Sequence, residues 1–471
     1  MDVPDFRAVS VERLAGMVRE RVVSAAAVTE HALERIAALN PRINAFVTVD
    51  ADAARSQAQG IDERLEAGDD PGPLAGVPIG VKDLADAAGL PTTRGAMHLR
   101  DAPAARHDSV EVARLRAAGC VVIGKTNTAE FGCLDDTYNP AFGATLNPWN
   151  LAYSPGGSSG GTAAAIAAGM IPLGTGSDAG GSIRTPSAAC GLSGMKTSQG
   201  RVPAGPPPLG LLDLCCVGPM ARRIRDVALC LDVVVGPDPV DLRSLPAPTH
   251  PWRRALDEPQ PPVRVLWAPS FDGGPVDSEV RAACAAAVEL LATAGVEVIE
   301  AGRLLDAGMD LQDELYNGGG LVPTHQPLFG TEHWPNVTAA ISGILERHFN
   351  TARVSSQYQA RLQASALSVQ LADAMTGFDV MLTPMCAGQL PLSRQDGTIN
   401  GESTANWLRF ASLATLTRRP AGTVCCGFTQ QGVPVGIQVI GHQLDDLGVL
   451  SALAVLEDLL GLGPVADLDL P

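Results

Sequence analysis

From Leu151 to Ser177 the chain carries no charged residue. A run of that length would have to be weighed as a membrane span on hydropathy alone. Its composition rejects that reading. Pro155, Pro172 and the glycines at 156, 157, 160, 161, 169, 174 and 176 interrupt it repeatedly, and a helix crossing a bilayer must satisfy its own backbone groups throughout. An uncharged Gly/Ser/Ala stretch that cannot be one long helix predicts a buried system of loops and short elements inside a large soluble core.

The flanking sequence reads as α/β. Residues 10 to 39 have helical patterning, with Ser10 and Ser24 as N-caps and Leu14, Met17, Val28, Ala32, Ile36 and Leu39 on the apolar face. Further helices are expected from Asp50 to Gly68 and from Asp108 to Ala118. Between them stand short apolar runs bounded by Gly and Pro, at Val77–Val81 and Val121–Ile123. This alternation predicts helices on both faces of a large mixed, mostly parallel sheet, an α/β/α sandwich.

One domain over 1–471 is expected, with N-terminal helices in 1–70 and a central core in 71–230. The Pro-, Asp- and Arg-rich segment 237–262 reads as a surface connection, and 263–471 completes the sheet. In that last part, strands are expected at 263–267, 296–299, 378–382, 422–426 and 435–440, and a helix from Asp277 to Ala294.

A formal charge of −17 lacks the basic footprint that phosphate neutralisation demands, so nucleic acid is excluded as a partner. The ten cysteines form no C-x-x-C pair and have no histidine at metal-ligand spacing. A reduced, cytoplasmic protein without metal or cofactor is expected, monomeric or homodimeric. The start, Met1-Asp2-Val3-Pro4-Asp5-Phe6, shows no secretory pattern.

Three motifs invite misreading. Gly119–Thr126 matches the phosphate-loop spelling, yet its middle is β-branched and favours an extended strand. Gly174–Ala179 mimics a dinucleotide fingerprint without the acidic residue about twenty positions on. Ser193-Gly194-Met195-Lys196 fits S-x-x-K but lacks the companion elements of β-lactamase-like enzymes, which makes Lys196 a structural lysine.

Two Gly-Gly-Ser elements remain, Ser154-Pro155-Gly156-Gly157-Ser158-Ser159-Gly160-Gly161 and Gly176-Ser177-Asp178-Ala179-Gly180-Gly181-Ser182-Ile183-Arg184. Glycine runs allow several backbone N–H groups to face one oxygen, as an oxyanion hole requires. Taken with Gly76-Val77-Pro78-Ile79-Gly80-Val81-Lys82-Asp83, they make the sequence similar to the amidase signature family. The similarity continues through Gly124-Lys125-Thr126-Asn127, Glu130-Phe131, Asn147-Pro148-Trp149 and Gly200-Arg201-Val202. It is weaker in Gly218–Arg222, Leu382–Pro384 and Gly432–Gln438.

The resemblance implies a catalytic lysine at Lys82, a bridging serine in a cis peptide at Ser158 and a nucleophile at Ser182. The intervals fit, 158 − 82 = 76 and 182 − 158 = 24. It also implies an oxyanion hole from the N–H groups of Ala179, Gly180, Gly181 and Ser182, and a substrate site lined by Gly132 and Cys133. Two positions depart from the family pattern: Cys215 stands where an Asp is common, and Lys-Pro-Thr becomes Lys196-Thr197-Ser198.

The chemistry suits these residue types. An amide is a poor electrophile with a poor leaving group, so its hydrolysis needs an activated nucleophile, a stabilised oxyanion and a proton for the departing nitrogen. A buried lysine that has lost its proton can be the base. The expected function is therefore a Ser-Ser-Lys hydrolase of carbon–nitrogen bonds, in amides and also in ureas, aryl amides or carbamates (a urethanase activity), acting on a small uncharged substrate. Two alternatives stay open. One is an elbow-type esterase using Ser158 and His442, since Gly156–Gly160 also fits G-x-S-x-G. The other is a non-catalytic or amidotransferase-type subunit on the same fold.

Overall fold

Ser10 and Ser24 do begin the first two helices, Val11–Arg19 and Ala25–Ile43. Their hydroxyls accept the N–H groups of Arg13 at 3.2 Å and Ala27 at 3.0 Å, satisfying donors that the first turn leaves free. Asp50 caps Ala51–Ala67 and Asp277 caps Ser278–Thr293 in the same way. The structure, a computed structural model, describes residues 2–204, 214–305 and 309–468. The part of the expected core at 205–213 lies outside the described residues.

Among the described residues eleven strands form one sheet. In chain order they are β1 (Phe46–Val49), β2 (Pro78–Lys82), β3 (Val121–Thr126), β4 (Leu173–Asp178), β5 (Ser193–Lys196) and β6 (Cys216–Ala221). There follow β7 (Arg264–Trp267), β8 (Glu297–Glu300), β9 (Val380–Pro384), β10 (Ala421–Phe428) and β11 (Pro434–Ile440). Their order across the sheet is β1-β3-β2-β4-β6-β5-β10-β11-β9-β7-β8.

Side chains alternate across the sheet as a strand's period of two requires. Val265 and Trp267 of β7, with Val380 and Leu382 of β9, join a core under the helices Val110–Ala117, Ile224–Val234, Ser278–Thr293 and Asp446–Leu460. Leu266 and Met381, between them, point to the opposite face and its own core with Val354–Ala374 and Phe410–Leu416. Both faces are thus covered, giving the α/β/α sandwich.

The expectation of a mostly parallel sheet is corrected. Parallel pairing is confined to two flanks, β3-β2-β4 and β9-β7-β8. The middle, β4-β6-β5-β10-β11-β9, is antiparallel throughout, as is the edge pair β1-β3. Parallel neighbours need a long crossover, whereas β10 and β11 are joined by residues 429–433 alone. Burial on both faces comes from the two helical layers, so continuously apolar strands carried no information about direction.

The segment 237–262 is mostly half-buried or exposed, but Trp252 and Leu256 around the short helix Trp252–Ala255 are inserted into the core. Among the described residues no helix is long and apolar enough to cross a membrane. Gly119–Thr126 enters the buried strand β3, not a phosphate-cradling loop, and Lys125 pairs with Asp83 at 3.0 Å inside the protein. Gly174–Asp178 lies within β4. Lys196 is buried and donates to the carbonyls of Thr197 and Arg419.

Candidate active site

Lys82 is the last residue of β2, and Ser177 the next to last of its parallel neighbour β4. The carboxyl ends of parallel strands are where α/β sheets hold their ligands. The Lys82 N–H donates to Thr175 Oγ1 at 3.0 Å, locking the two strands together at this point. Asp83 turns the other way to its ion pair with Lys125, whose Nζ also donates to the Pro91 carbonyl at 3.1 Å and to Thr92 Oγ1 at 2.9 Å. Lys82 is left facing two hydroxyls. Its Nζ lies 2.8 Å from Ser158 Oγ and 2.9 Å from Ser177 Oγ.

Burial lowers the Lys82 pKa to about 7, because a buried ammonium loses its hydration. Cys215, Asp178 and Cys133 work in the opposite direction. Burial also pushes the Cys215 thiol up to about 12, so at neutral pH Cys215 supplies no negative charge. Asp178 is already committed to Arg184, so among the described residues no free carboxylate holds the proton on Lys82.

Ser158 precedes the helix Gly160–Ala167, and the Gly157–Ser158 peptide bond is cis. Its carbonyl accepts from Thr128 Oγ1 at 2.9 Å and the Ala129 N–H at 3.3 Å. Thr137 Oγ1 donates to the Gly156 carbonyl at 2.8 Å and accepts the Gly160 N–H at 2.9 Å. Residues 128–137 therefore brace the first Gly-Gly-Ser loop. The two loops meet where Ser159 Oγ accepts the Ser177 N–H at 3.4 Å.

The second loop turns around Asp178. One carboxylate oxygen accepts the Gly181 N–H at 2.8 Å, the other the Ile183 N–H at 3.3 Å. Arg184 grips both, Nε and Nη2 each at 2.8 Å, and reaches Gln438 Oε1 at 2.5 Å and Thr415 Oγ1 at 3.1 Å. Gly181 has φ of 117°, a conformation that favours glycine, and a Cβ there would sit 2.7 Å from that of Ala411.

The sequence expectation of four free amides is corrected here, because Asp178 takes that of Gly181. The N–H groups of Ala179, Gly180 and Ser182 have no acceptor among the described residues, and Ser182 Oγ has no hydrogen-bond partner there. Ser182 is half-buried, whereas Ser158 and Lys82 are each 1 % exposed.

Burial alone would raise the Asp178 pKa, but the Arg184 charge and hydrogen bonds prevail and bring it to about 2. A carboxyl held below its ordinary 3.8 stabilises the fold above that value, and the contribution is lost as pH falls from 3.8 toward 2. Arg184→Met would leave this carboxylate buried without its ion-pair partner. We expect a loss of about 3–5 kcal/mol, read as a lower urea midpoint at pH 7. An unchanged midpoint would show that the pair does not hold the loop.

Gly132 belongs to the same site, since a Cβ on it would lie 3.4 Å from Ser158 Oγ. Next to it, the Cys133 thiol donates to the Phe131 carbonyl at 3.4 Å. Three groups escaped the sequence reading. Ser177 lay inside a motif already singled out. Gln312, whose Nε2 donates to the Ala179 carbonyl at 2.9 Å, and Tyr316, whose hydroxyl donates to that of Gly132 at 2.9 Å, come from a distant segment with no local signal. His442 is occupied elsewhere, its Nε2 being 2.7 Å from the Phe378 carbonyl oxygen. Among the described residues Ser158 thus has a lysine partner and no histidine.

A mixed sheet between two helical layers, with a lysine–serine pair at its strand ends beside glycine-rich loops, defines a class of hydrolases that cleave amides. The amidase family model matches residues 27–307 and 332–450, and the chain belongs to that family. It is 34% identical over 459 residues to an acylamidase of Rhodococcus erythropolis, covering 95% of this chain and 94% of that protein. It is also 34% identical over 465 residues to a glutamyl-tRNA(Gln) amidotransferase subunit of Synechococcus sp. (strain CC9311), covering 90% of this chain and 91% of that protein. Among solved structures, a bacterial aryl acylamidase of the amidase signature enzymes superposes with a TM-score of 0.88 at 28% identity, covering 96% of each chain. The protein is an amide-hydrolysing enzyme.

Proposed function

We propose that the enzyme hydrolyses small uncharged amides through a covalent acyl intermediate on Ser182, with Ser158 as proton relay and Lys82 as base. The observation that carries this reading is the 2.8 Å approach of Lys82 Nζ to Ser158 Oγ in a setting that brings the lysine pKa to about 7. A neutral amine has a lone pair. It accepts the Ser158 proton while Ser158 accepts that of Ser182, and the Ser182 oxygen bonds to the substrate carbonyl carbon.

The carbonyl oxygen then bears the negative charge, and the free amides of Ala179, Gly180 and Ser182 are its donors. Collapse of this intermediate breaks the C–N bond. The proton on Lys82 returns through Ser158 to the departing nitrogen, so the amine leaves neutral. Water repeats the sequence on the acyl-enzyme and restores Ser182.

The lining supports an uncharged acyl group. Burial pushes the Cys133 thiol and the Tyr316 hydroxyl well above their ordinary values, so with Gly132 and Cys215 they present no charge at neutral pH. The similarity to acylamidases points the same way. Carbamates and ureas share the planar carbonyl and fall within this range. The test is a panel of acyl amides, anilides, ureas, carbamates and free glutamine offered to the purified protein. Turnover of neutral amides or anilides with glutamine inert is expected. Glutamine as the preferred substrate would favour the amidotransferase-type alternative.

A further inference from the structure

The helix Met309–Asp313 continues into a π-helical stretch, Glu314–Leu321, and from this segment two side chains four residues apart reach the two walls of the site. Gln312 Nε2 donates to the Ala179 carbonyl at 2.9 Å, and the Tyr316 hydroxyl to the Gly132 carbonyl at 2.9 Å. The segment is itself held from behind. Gln357 Nε2 donates to the Glu314 carbonyl at 2.8 Å and to its carboxylate at 2.7 Å, and His348 Nε2 lies 2.9 Å from Asp313 Oδ2.

The peptide joining Ala179 and Gly180 is planar, so its C=O and N–H point in opposite directions. A donor fixed on the Ala179 carbonyl therefore fixes the direction of the Gly180 N–H, turned away from Gln312. It also polarises that N–H, since hydrogen bonds to both ends of one amide reinforce each other. Glycine at 180 allows this plane a wide range of orientations, and the next peptide is anchored separately, through the Gly181 N–H on Asp178. Gln312 packs directly on the bare Gly180, its Nε2 being 3.0 Å from where a Cβ would be. Across the site, Tyr316 holds the peptide of Gly132, the residue against Ser158 Oγ.

We propose that Gln312 and Tyr316 are a pair of positioning residues, through which the segment 309–321 sets the oxyanion amide of Gly180 and the wall facing Ser158. Neither acts on the substrate directly. The inference rests on the reading of Ser182 as nucleophile, and it places part of the catalytic geometry under the control of a segment far from the Gly-Gly-Ser motifs.

The test uses Gln312→Met, which keeps length and removes the donor, and Tyr316→Phe. A neutral anilide gives kcat and KM, and a fluorophosphonate gives the second-order labelling rate of Ser182. An oriented donor to an oxyanion is worth roughly 10²- to 10³-fold in kcat when removed outright, so losing its support should cost about 10- to 100-fold. That loss should fall in kcat, with KM within about twofold and labelling slowed in parallel. Tyr316→Phe should show a smaller effect of the same kind. Should Gln312→Met fold poorly, Gln312→Glu keeps the shape and replaces the donor by an acceptor, with the same expectation. Unchanged kcat and labelling in the folded variants, or a loss confined to KM, would overturn the positioning role alone. Wild-type protein left unlabelled at Ser182 would overturn both this role and the reading beneath it.

Discussion

Replacing Lys82 by methionine is expected to lower kcat/KM for a neutral amide by about 10³-fold, in the range that general acid–base groups contribute. In the wild type, kcat/KM should rise with pH through about 7 and level off above it, because in the proposed mechanism only the deprotonated lysine accepts the Ser158 proton, and burial brings its pKa to that value. The variant should lose this limb. Collapse of the fold is a poor explanation for such a loss. A lysine held below its ordinary 10.5 subtracts stability, fully below about 7 and progressively less as pH rises to 10.5, so its removal relieves a penalty at neutral pH. Thermal unfolding of both proteins checks this. A variant with near-normal rates, alongside a dead His442→Ala, would move the base from lysine to histidine.

Ser182→Ala should be more severe, with turnover lost by roughly 10⁴-fold or more, as when a covalent nucleophile is removed while the rest of the site stands. Ser182 Oγ makes no hydrogen bond among the described residues, and its loop is held by Asp178 and Arg184, so the substitution leaves the scaffold in place. Ser158→Ala should also be nearly inactive, since Lys82 would then have no relay. Ser177→Ala should be milder, because Ser177 accepts from Lys82 at 2.9 Å and takes no part in the proposed proton relay.

What could be read in the chain follows from how local each signal is. Ser10, Ser24, Asp50 and Asp277 announce helix starts because a cap acts within three residues of itself. That Lys82 and the two Gly-Gly-Ser loops come together was legible because the resemblance joined them across 76 and 24 residues.

Strand direction was not legible. It depends on what lies between strands, and the buried runs of β2 and β11 look alike although β2 has parallel neighbours and β11 antiparallel ones. The engagement of the Gly181 amide escaped for a related reason. Asp178 stands beside the glycines in sequence, but only the turn around Arg184 shows which N–H it takes. Gln312 and Tyr316 gave no sign, because their partners are carbonyls of Ala179 and Gly132, more than a hundred residues away.

Which serine attacks decides the mechanism. Wild-type enzyme treated with a fluorophosphonate, digested and mapped by mass spectrometry gives the answer without depending on any chosen substrate. The adduct is expected on Ser182, with its rate rising through pH 7 and abolished in Ser182→Ala. An adduct on Ser158 with none on Ser182 would contradict the mechanism.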